Sequence, residues 1–215
     1  LWLGTESDLA TNTSRWSKGT VPTSSSDVLI PSSKHLKLTS DHTFNAVKVR
    51  SGAEFSIGKD GSLTTVDFTN EGTTSLFSDD DEFSSLIVTG TATGNASYNR
   101  WTNNWELDTN GNDIIASPVK NQSWTDVIAN NVVNGTNAIY NNGTLYAFYA
   151  YNNGYYGWGN PYSVNDTSTM IESGKGYRVS TPAVSSQTVK FTGQVETGNV
   201  SVNLRNVQTR WNVVG

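Results

Sequence analysis

Residues 51–77, SGAEFSIGKDGSLTTVDFTNEGTTSLF, contain the pattern that decides the fold. Short runs in which polar and apolar residues alternate, such as residues 54–57 and 62–66, are separated by turns that contain glycine. Such alternation places the apolar side chains on one face of a β-strand. Strands this short cannot bury their apolar faces as isolated hairpins, but they can do so as the stacked coils of a solenoid. The stretch therefore predicts a short β-solenoid, also called β-helix-like.

The glycines of this stretch mark its predicted corners. Gly52, Gly58, Gly61 and Gly72 each fall at a break between alternating runs. Glycine adopts a positive φ without steric cost, and a tight corner often requires one. We therefore expect a positive φ at each of these glycines.

The composition of the chain changes near residue 97. All nine Tyr lie at residue 98 or later, whereas five of the seven Phe lie before it. Residues 1–97 carry 7 basic and 12 acidic side chains, while residues 98–215 carry 7 of each. Such a shift predicts a boundary between structural units. We expect an all-β chain with a β-solenoid-like repeat unit at 1–97 and an aromatic-rich, antiparallel β-sandwich-like unit at 98–215.

The elements of the two units can be placed from the same patterns. Residues 123–131 fit a helix, because Ser123 can cap it and its apolar residues fall on one face. The runs at 189–193 and 199–204 have the pattern of a hairpin. The chain stops within an apolar run after Trp211, so we expect it to be a fragment of a longer protein. The other predicted strands lie at 27–30, 36–38, 46–49, 54–57, 62–66, 74–77, 85–88, 145–151 and 176–179.

Composition also narrows the classes of function. The chain contains no Cys, which excludes zinc fingers, iron–sulfur clusters and thiol nucleophiles. The net charge of −5 argues against nucleic acid as a partner, because such binding needs clustered Lys and Arg. No apolar run is long enough to cross a bilayer, so we expect no membrane insertion.

Three groups of segments resemble recurrent patterns of the large multi-module surface and secreted proteins that Bacteroidota export by the type IX system. The first begins at Trp2 and reads WLGT, then RWSKGTVPT, then DVLIP. The second consists of the repeats SGAEFSIGKDGSLTT and TNEGTTSLF. The third consists of YNR at 98–100, SPV at 117–119, GKGY at 174–177, FTG at 191–193 and WNVVG at 211–215. The chain departs from these patterns by an insertion at 108–112 and by the lack of a final NPY.

The resemblance implies a location and an architecture. It implies an extracellular protein, secreted or attached to the outer cell surface, whose partners are neighbouring modules of the same or another surface protein. It implies no activity, because such regions occur beside adhesins and beside enzymes that degrade polysaccharides.

An acidic run, Asp79, Asp80, Asp81 and Glu82, lies between two predicted strands. Clustered carboxylates in a loop could hold Ca²⁺, which takes oxygen ligands in flexible geometry. The run lacks the glycine-spaced register of an EF-hand loop. The alternative is a solvated loop that discourages pairing at a strand edge.

An aromatic segment is the strongest candidate for a binding site. Tyr155, Tyr156, Trp158 and Tyr162 lie within eight residues, and Asn160 lies among them. Exposed rings can stack on the faces of sugars while an amide hydrogen-bonds their hydroxyl groups. The alternative is that the rings fold back and complete the core of the second unit.

No residues point to catalysis. His35 and His42 are the only histidines, and no G-x-S-x-G elbow accompanies them, so we expect surface roles for both. No spacing singles out a carboxylate pair for glycoside hydrolysis. We therefore expect a non-catalytic extracellular module with a structural or adhesive role. The alternative is a carbohydrate-binding accessory module of a polysaccharide-degrading enzyme, which would use residues 155–162.

Overall fold

The protein is described by a computed structural model that covers residues 1–6, 9–104, 112–152, 157–182, 188–204 and 212–214. These residues form an all-β fold that divides into two compact units. The first unit comprises Leu1–Asn99 and Gly193–Gly198, and the second comprises Arg100–Thr192 and Asn199–Gly215. None of the described helices has the length and apolar character needed to cross a membrane.

The first unit is a parallel β-solenoid, as the alternating pattern predicts. One sheet contains β1, β3, β5 and β7 in that order, with β8 also paired to β5, and a second contains β2, β4, β6 and β9. A 3-10 helix at Thr13–Arg15 precedes the strands. The strands are β1 (Asp27–Ile30), β2 (His35–Leu38), β3 (Asp41–Val49), β4 (Glu54–Ile57), β5 (Ser62–Asn70), β6 (Thr73–Leu76), β7 (Ser85–Val88), β8 (Ala92–Thr93) and β9 (Asn95–Trp101).

The solenoid core consists of columns of apolar side chains that stack in register. Leu38 pairs with Ile57, Ile57 with Leu76, and Leu76 with Tyr98, and all four side chains are buried. One coil takes 19 residues at this point, because Asp27 of β1 pairs with Ala46 of β3. Each coil thus buries the apolar face of the next, which a single short hairpin could not do.

The corner glycines differ from the prediction. Gly52 has a φ of +73°, but Gly58, Gly61 and Gly72 are not among the residues with positive φ. At Gly61 a Cβ atom would lie 3.0 Å from the carbonyl oxygen of Leu38, and at Gly72 it would overlap the carbonyl oxygens of Arg50 and Ala53. The expectation of positive φ is therefore wrong at these three corners. At Gly61 and Gly72 the glycine instead leaves room for the backbone of the preceding coil.

The N-terminal segment covers the first coil. Trp2 is fully buried, its backbone N–H donates to Leu29 O at 2.9 Å, and its Nε1–H donates to His35 O at 2.8 Å. The ring of Trp16 packs edge-on against that of Trp2, with centroids 4.9 Å apart. Gly4 lies beneath the Trp2 ring, where any Cβ atom would collide with it. This contact explains why a glycine stands two residues after the tryptophan in the W-x-G segment.

The second unit contains one α-helix among its described residues, as well as several small antiparallel sheets. The largest sheet has the order β10, β18, β15, β16. β19 begins in this unit and ends in the first. The strands are β10 (Asp113–Ala116), β11 (Val119–Lys120), β12 (Gln122–Ser123), β13 (Val132–Val133), β14 (Thr136–Asn137), β15 (Phe148–Asn152), β16 (Gly157–Trp158), β17 (Met170–Ile171), β18 (Gly176–Val179) and β19 (Thr188–Val195).

The helix α1 (Trp124–Asn130) forms where its cap residues predict it. Ser123 Oγ accepts from Asp126 N at 3.1 Å, and Asp126 Oδ2 accepts from Ser123 N at 3.1 Å, which completes a capping box. At the other end, the buried amide of Asn131 donates to Val127 O and to Lys190 O, at 2.8 and 2.9 Å. The helix is therefore fixed at both ends by polar side chains.

The predicted hairpin at the end of the chain is only half present. Its first arm lies within β19, but residues 199–204 are not in a strand. Two of its apolar side chains, Val200 and Val202, instead pack over Gly174. The prediction of a second arm is therefore wrong, because the alternating pattern serves a contact with the GKGY segment rather than a ladder.

Candidate functional site

The predicted aromatic segment is divided between two faces of the largest sheet in the second unit. Trp158 lies in β16 opposite Tyr151 of β15. Asn160 follows it and is exposed. Tyr155 and Tyr156 lie outside the described residues. Tyr162 lies in the segment after β16 and does not join Trp158.

Tyr162 belongs to the aromatic core of the second unit. Its ring centroid lies 5.2 Å from that of Trp124 and 5.6 Å from that of Phe148. Burial, with smaller contributions from Glu172 and Asp166, raises the pKa of Tyr162 to about 12. The backbone N–H of Tyr162 donates to Phe148 O at 3.0 Å, which holds the residue along β15. This ring therefore follows the alternative in which the aromatic segment completes the core.

The register of the sheet separates an inner face from an outer one. Side chains alternate between faces along a strand. Phe148 and Val179 pair with each other and are fully buried, as is Tyr177, so their side chains define the inner face. The residues between them, Tyr149 and Arg178, also pair with each other and therefore point outward.

We call the cluster of Tyr149, Tyr151, Trp158 and Arg178 the outer aromatic face. The guanidinium carbon of Arg178 lies 4.5 Å from the ring centroid of Tyr149 and 5.3 Å from that of Trp158. The rings of Tyr151 and Trp158 meet edge to face, with centroids 5.2 Å apart. All four side chains are half-buried, so this face presents three partly accessible rings, two of which contact a cation.

A groove lies beside the outer aromatic face. It has a volume of about 460 Å³, which is within the range of about 300–1,000 Å³ typical of small-molecule sites. Tyr151 belongs both to this groove and to the outer aromatic face, so the two features are contiguous. Its lining residues are Ala150, Tyr151, Asn152, Gly159, Glu172, Ser173, Lys175, Ser201, Val202 and Asn203.

Two segments quoted for their resemblance meet at one wall of this region. Gly176 lies directly against Val213, where a Cβ atom would overlap the valine side chain. Lys175 forms an isolated antiparallel bridge with Val214. The hydroxyl of the buried Tyr177 accepts from Glu172 N at 2.8 Å, and burial raises its pKa well above the usual range. GKGY and the described residues 212–214 are thus parts of one structural feature, although they are distant in sequence.

The acidic run of the first unit interacts with a lysine and with its own backbone. Lys59 Nζ lies 2.6 Å from Asp79 Oδ2 and 3.5 Å from Glu82 Oε2. Asp79 Oδ1 accepts from the backbone N–H groups of Asp81 and Glu82. The hydrogen bond from Lys59 contributes most to lowering the pKa of Asp79, and these two backbone bonds lower it further. Within the part of the chain that the structure describes, no three His, Asp or Glu side chains are arranged to hold a metal ion.

His35 occupies an arrangement that sequence reasoning missed. Its Nε2 lies 2.8 Å from Ser56 Oγ, and its Nδ1 lies 3.3 Å from Glu54 and 3.8 Å from Glu6. A carboxylate–His–Ser chain is the arrangement of a serine nucleophile. However, Ser56 is only 4% exposed, and β4 pairs with strands on both sides, so its amides serve the ladders instead of an oxyanion hole.

The second histidine, His42, lies beside Phe44, with ring centroids 5.6 Å apart. Burial lowers its pKa, and the nearby Asp41 opposes this shift. Its Nε2 lies 3.3 Å from Ser40 Oγ. The two histidines are therefore in separate environments and do not form a joint site.

Comparison with known proteins identifies a family but no function. A family model described as "Domain of unknown function (DUF8693)" matches residues 1–215. No curated protein and no solved structure matches the chain.

Proposed function

Because the chain belongs to the DUF8693 family, whose function is unknown, we propose from its architecture that it is a structural and adhesive module of a larger bacterial protein. In this proposal the module is non-catalytic and lies outside the cell, on the surface or secreted. Its partners are neighbouring modules of the same or another surface protein. The resemblance to proteins exported by the type IX system supports the location.

The observation that carries this proposal is the parallel solenoid of the first unit. Its register continues from β1 through β3 and β5 to β7, so each coil is supported by the next. Stacked coils form a scaffold whose length follows from the number of repeats and whose outer surface is available for contacts. Such a unit is suited to spacing or presenting neighbouring modules.

We expect deletion of residues 1–215 from the native protein to reduce attachment of the producing cells to their natural surface. A protease added to intact cells should also release peptides of this chain, because the proposal places it outside. The measurements are mass spectrometry of the released peptides and a count of attached cells. Recovery of the chain only after lysis, or unchanged attachment, would contradict the proposal.

The second candidate is carbohydrate binding, and the outer aromatic face is the observation that favours it. Sugar-binding sites pair flat apolar rings with a few polar groups. Tyr149, Tyr151 and Trp158 supply three partly accessible rings on one face of a sheet. The adjoining groove adds amide and hydroxyl groups from Asn152 and Ser201. This site differs from the predicted segment, because it uses strand residues and excludes Tyr162.

If this face binds saccharide, Trp158→Ala should weaken binding to a glycan by about fivefold, since a stacked ring contributes on the order of 1 kcal/mol. The control is Phe83→Ala, which removes an aromatic side chain that is 67% exposed in the first unit. Isothermal titration of the whole chain with glycans selected on an array provides the measurement. Equal affinities for the two variants would reject this face as the site.

A further inference from the structure

We propose that the outer aromatic face selects an acidic polysaccharide, with Arg178 pairing with an anionic group of a sugar that packs against Trp158. The anionic group is a carboxylate or a sulfate ester. This inference rests on the carbohydrate-binding candidate and narrows its ligand to a negatively charged sugar.

The first support is that the Arg178 side chain lacks a polar partner among the described residues. A guanidinium carries several N–H donors in a planar fork that matches a carboxylate or a sulfate. No side-chain hydrogen bond or ion pair joins Arg178 to any described residue, and its contacts are the rings of Tyr149 and Trp158. Its Nε is buried without a hydrogen-bond partner. A ligand acceptor would therefore bond to the terminal N–H groups of the guanidinium, which are not among the buried atoms without a partner.

The second support is the position of this cation in the sheet. Arg178 pairs with Ile114 on one side and with Tyr149 on the other, and neither neighbour carries a charge. Ile114 is 57% exposed, so the approach over β10 is open and apolar. The nearest charged groups lining the groove, Lys175 and Glu172, pair with each other at 2.6 Å. Among the described residues that line this face and the groove, the positive charge without an acidic partner is therefore that of Arg178.

The third support is that the rings fix the guanidinium. Contact with the faces of Tyr149 and Trp158 favours an arginine over a lysine, because a planar guanidinium stacks and is less strongly hydrated. An acid group bound to the fork would place its sugar beside Trp158 and Tyr151, at the entrance of the groove. Rings and cation can thus contact one sugar unit together.

The net charge of the whole chain distinguishes this inference from general adsorption of polyanions. With a net charge of −5, the protein is not expected to attract polyanions through its overall field. Preference for an acidic sugar would therefore have to come from a local group such as Arg178. This separates the proposal from general adsorption of polyanions, which would depend on many basic side chains.

The test is titration of the whole chain with two matched pairs of probes. An oligogalacturonate and its methyl ester differ in the carboxylate charge, and dextran sulfate and dextran differ in the sulfate. We expect at least one charged probe to bind about tenfold more tightly than its neutral partner, and added salt to weaken that binding. The probe that binds identifies the source of the anionic group.

Two variants and one control connect the preference to the residue. Arg178→Met should abolish the difference between charged and neutral probes, whereas Arg178→Lys should keep part of it, because lysine retains the charge but not the fork. Lys18→Met removes an exposed cation from the first unit and should leave the preference unchanged. If the methionine variant does not fold, judged by its melting curve, the lysine variant and the salt series still measure the preference.

The outcomes separate this inference from the candidate on which it rests. Equal binding of charged and neutral probes would overturn the acidic preference and leave carbohydrate binding intact. Equal losses in the Arg178 and Lys18 variants would also overturn it, because they would indicate general adsorption. No binding of any probe or arrayed glycan would overturn both.

Discussion

Trp124→Ala is expected to lower the free energy of unfolding by about 3–5 kcal/mol, the range for truncating a large buried aromatic side chain. Trp124 is fully buried at the start of α1. Its ring centroid lies 5.0 to 5.3 Å from those of Tyr146, Phe148 and Tyr162. Its Nε1–H donates to Ser163 O at 2.8 Å. The substitution therefore removes both the centre of the aromatic core and a bond that holds the segment after β16.

A second substitution isolates the hydrogen-bond part of this cost, and a third serves as a control. Trp124→Phe keeps much of the ring but leaves Ser163 O without its donor, so a loss of about 1–3 kcal/mol is expected. Met170→Ala truncates a side chain that is 49% exposed and should change stability by less than about 0.5 kcal/mol. Urea unfolding followed by circular dichroism measures all three. A cost for Trp124→Ala as small as that for Met170→Ala would contradict the assigned core.

Gly94→Ala is expected to destabilise the protein by about 3 kcal/mol, well above the usual effect of an alanine. Gly94 has a φ of +82° between β8 and β9, and a Cβ atom there would overlap the carbonyl oxygen of Asn70 in the preceding coil. The substitution therefore adds a steric clash to an unfavourable backbone conformation. Because the obstructing atom belongs to the backbone of a packed coil, it cannot easily move away.

The chain contains a matched control for this prediction. Gly198 also has a φ of +82°, but no described atom lies within 4 Å of the position that a Cβ atom would take there. Gly198→Ala should therefore cost only the conformational part, about 1 kcal/mol. The difference between the urea midpoints of the two variants measures the extra cost of the steric clash between successive coils at Gly94. Equal destabilisation by both substitutions would show that the coils do not meet at Gly94.

The elements that the sequence predicts well are those whose signals are local. The strands from β1 to β7 follow runs of alternating polarity that end at glycine, proline or polar residues, and β18 coincides with the predicted 176–179. Helix α1 follows from its cap at Ser123. The all-β class, with a solenoid followed by antiparallel sheets, is confirmed because each strand carries its own pattern.

The features that the sequence could not supply depend on which coil or strand lies next to which. His35 meets Glu54 and Ser56 only because β2 and β4 pair in parallel with one particular register. The alternation of residues 199–204 is the same whether they form a ladder or pack on Gly174, so pattern alone could not distinguish these outcomes.

The candidate site lay partly within reach of sequence reasoning. Tyr149 follows the buried Phe148 in β15, and Arg178 lies between the buried Tyr177 and Val179 in β18. That alternation predicts an outward direction for each of them. The pairing of β15 with both β16 and β18, which brings the rings to the arginine, required the structure.

The N-terminal tryptophans have a consequence for self-association. The outermost strand of a parallel stack offers unpaired backbone groups, which can template the addition of a strand from another molecule and lead to fibrils. At β1, Leu29 O already accepts from Trp2 N, and the indole of Trp2 takes His35 O at the start of β2. Because Trp2 takes these two acceptors, we expect the segment that covers the first coil to oppose the addition of a strand from another molecule there.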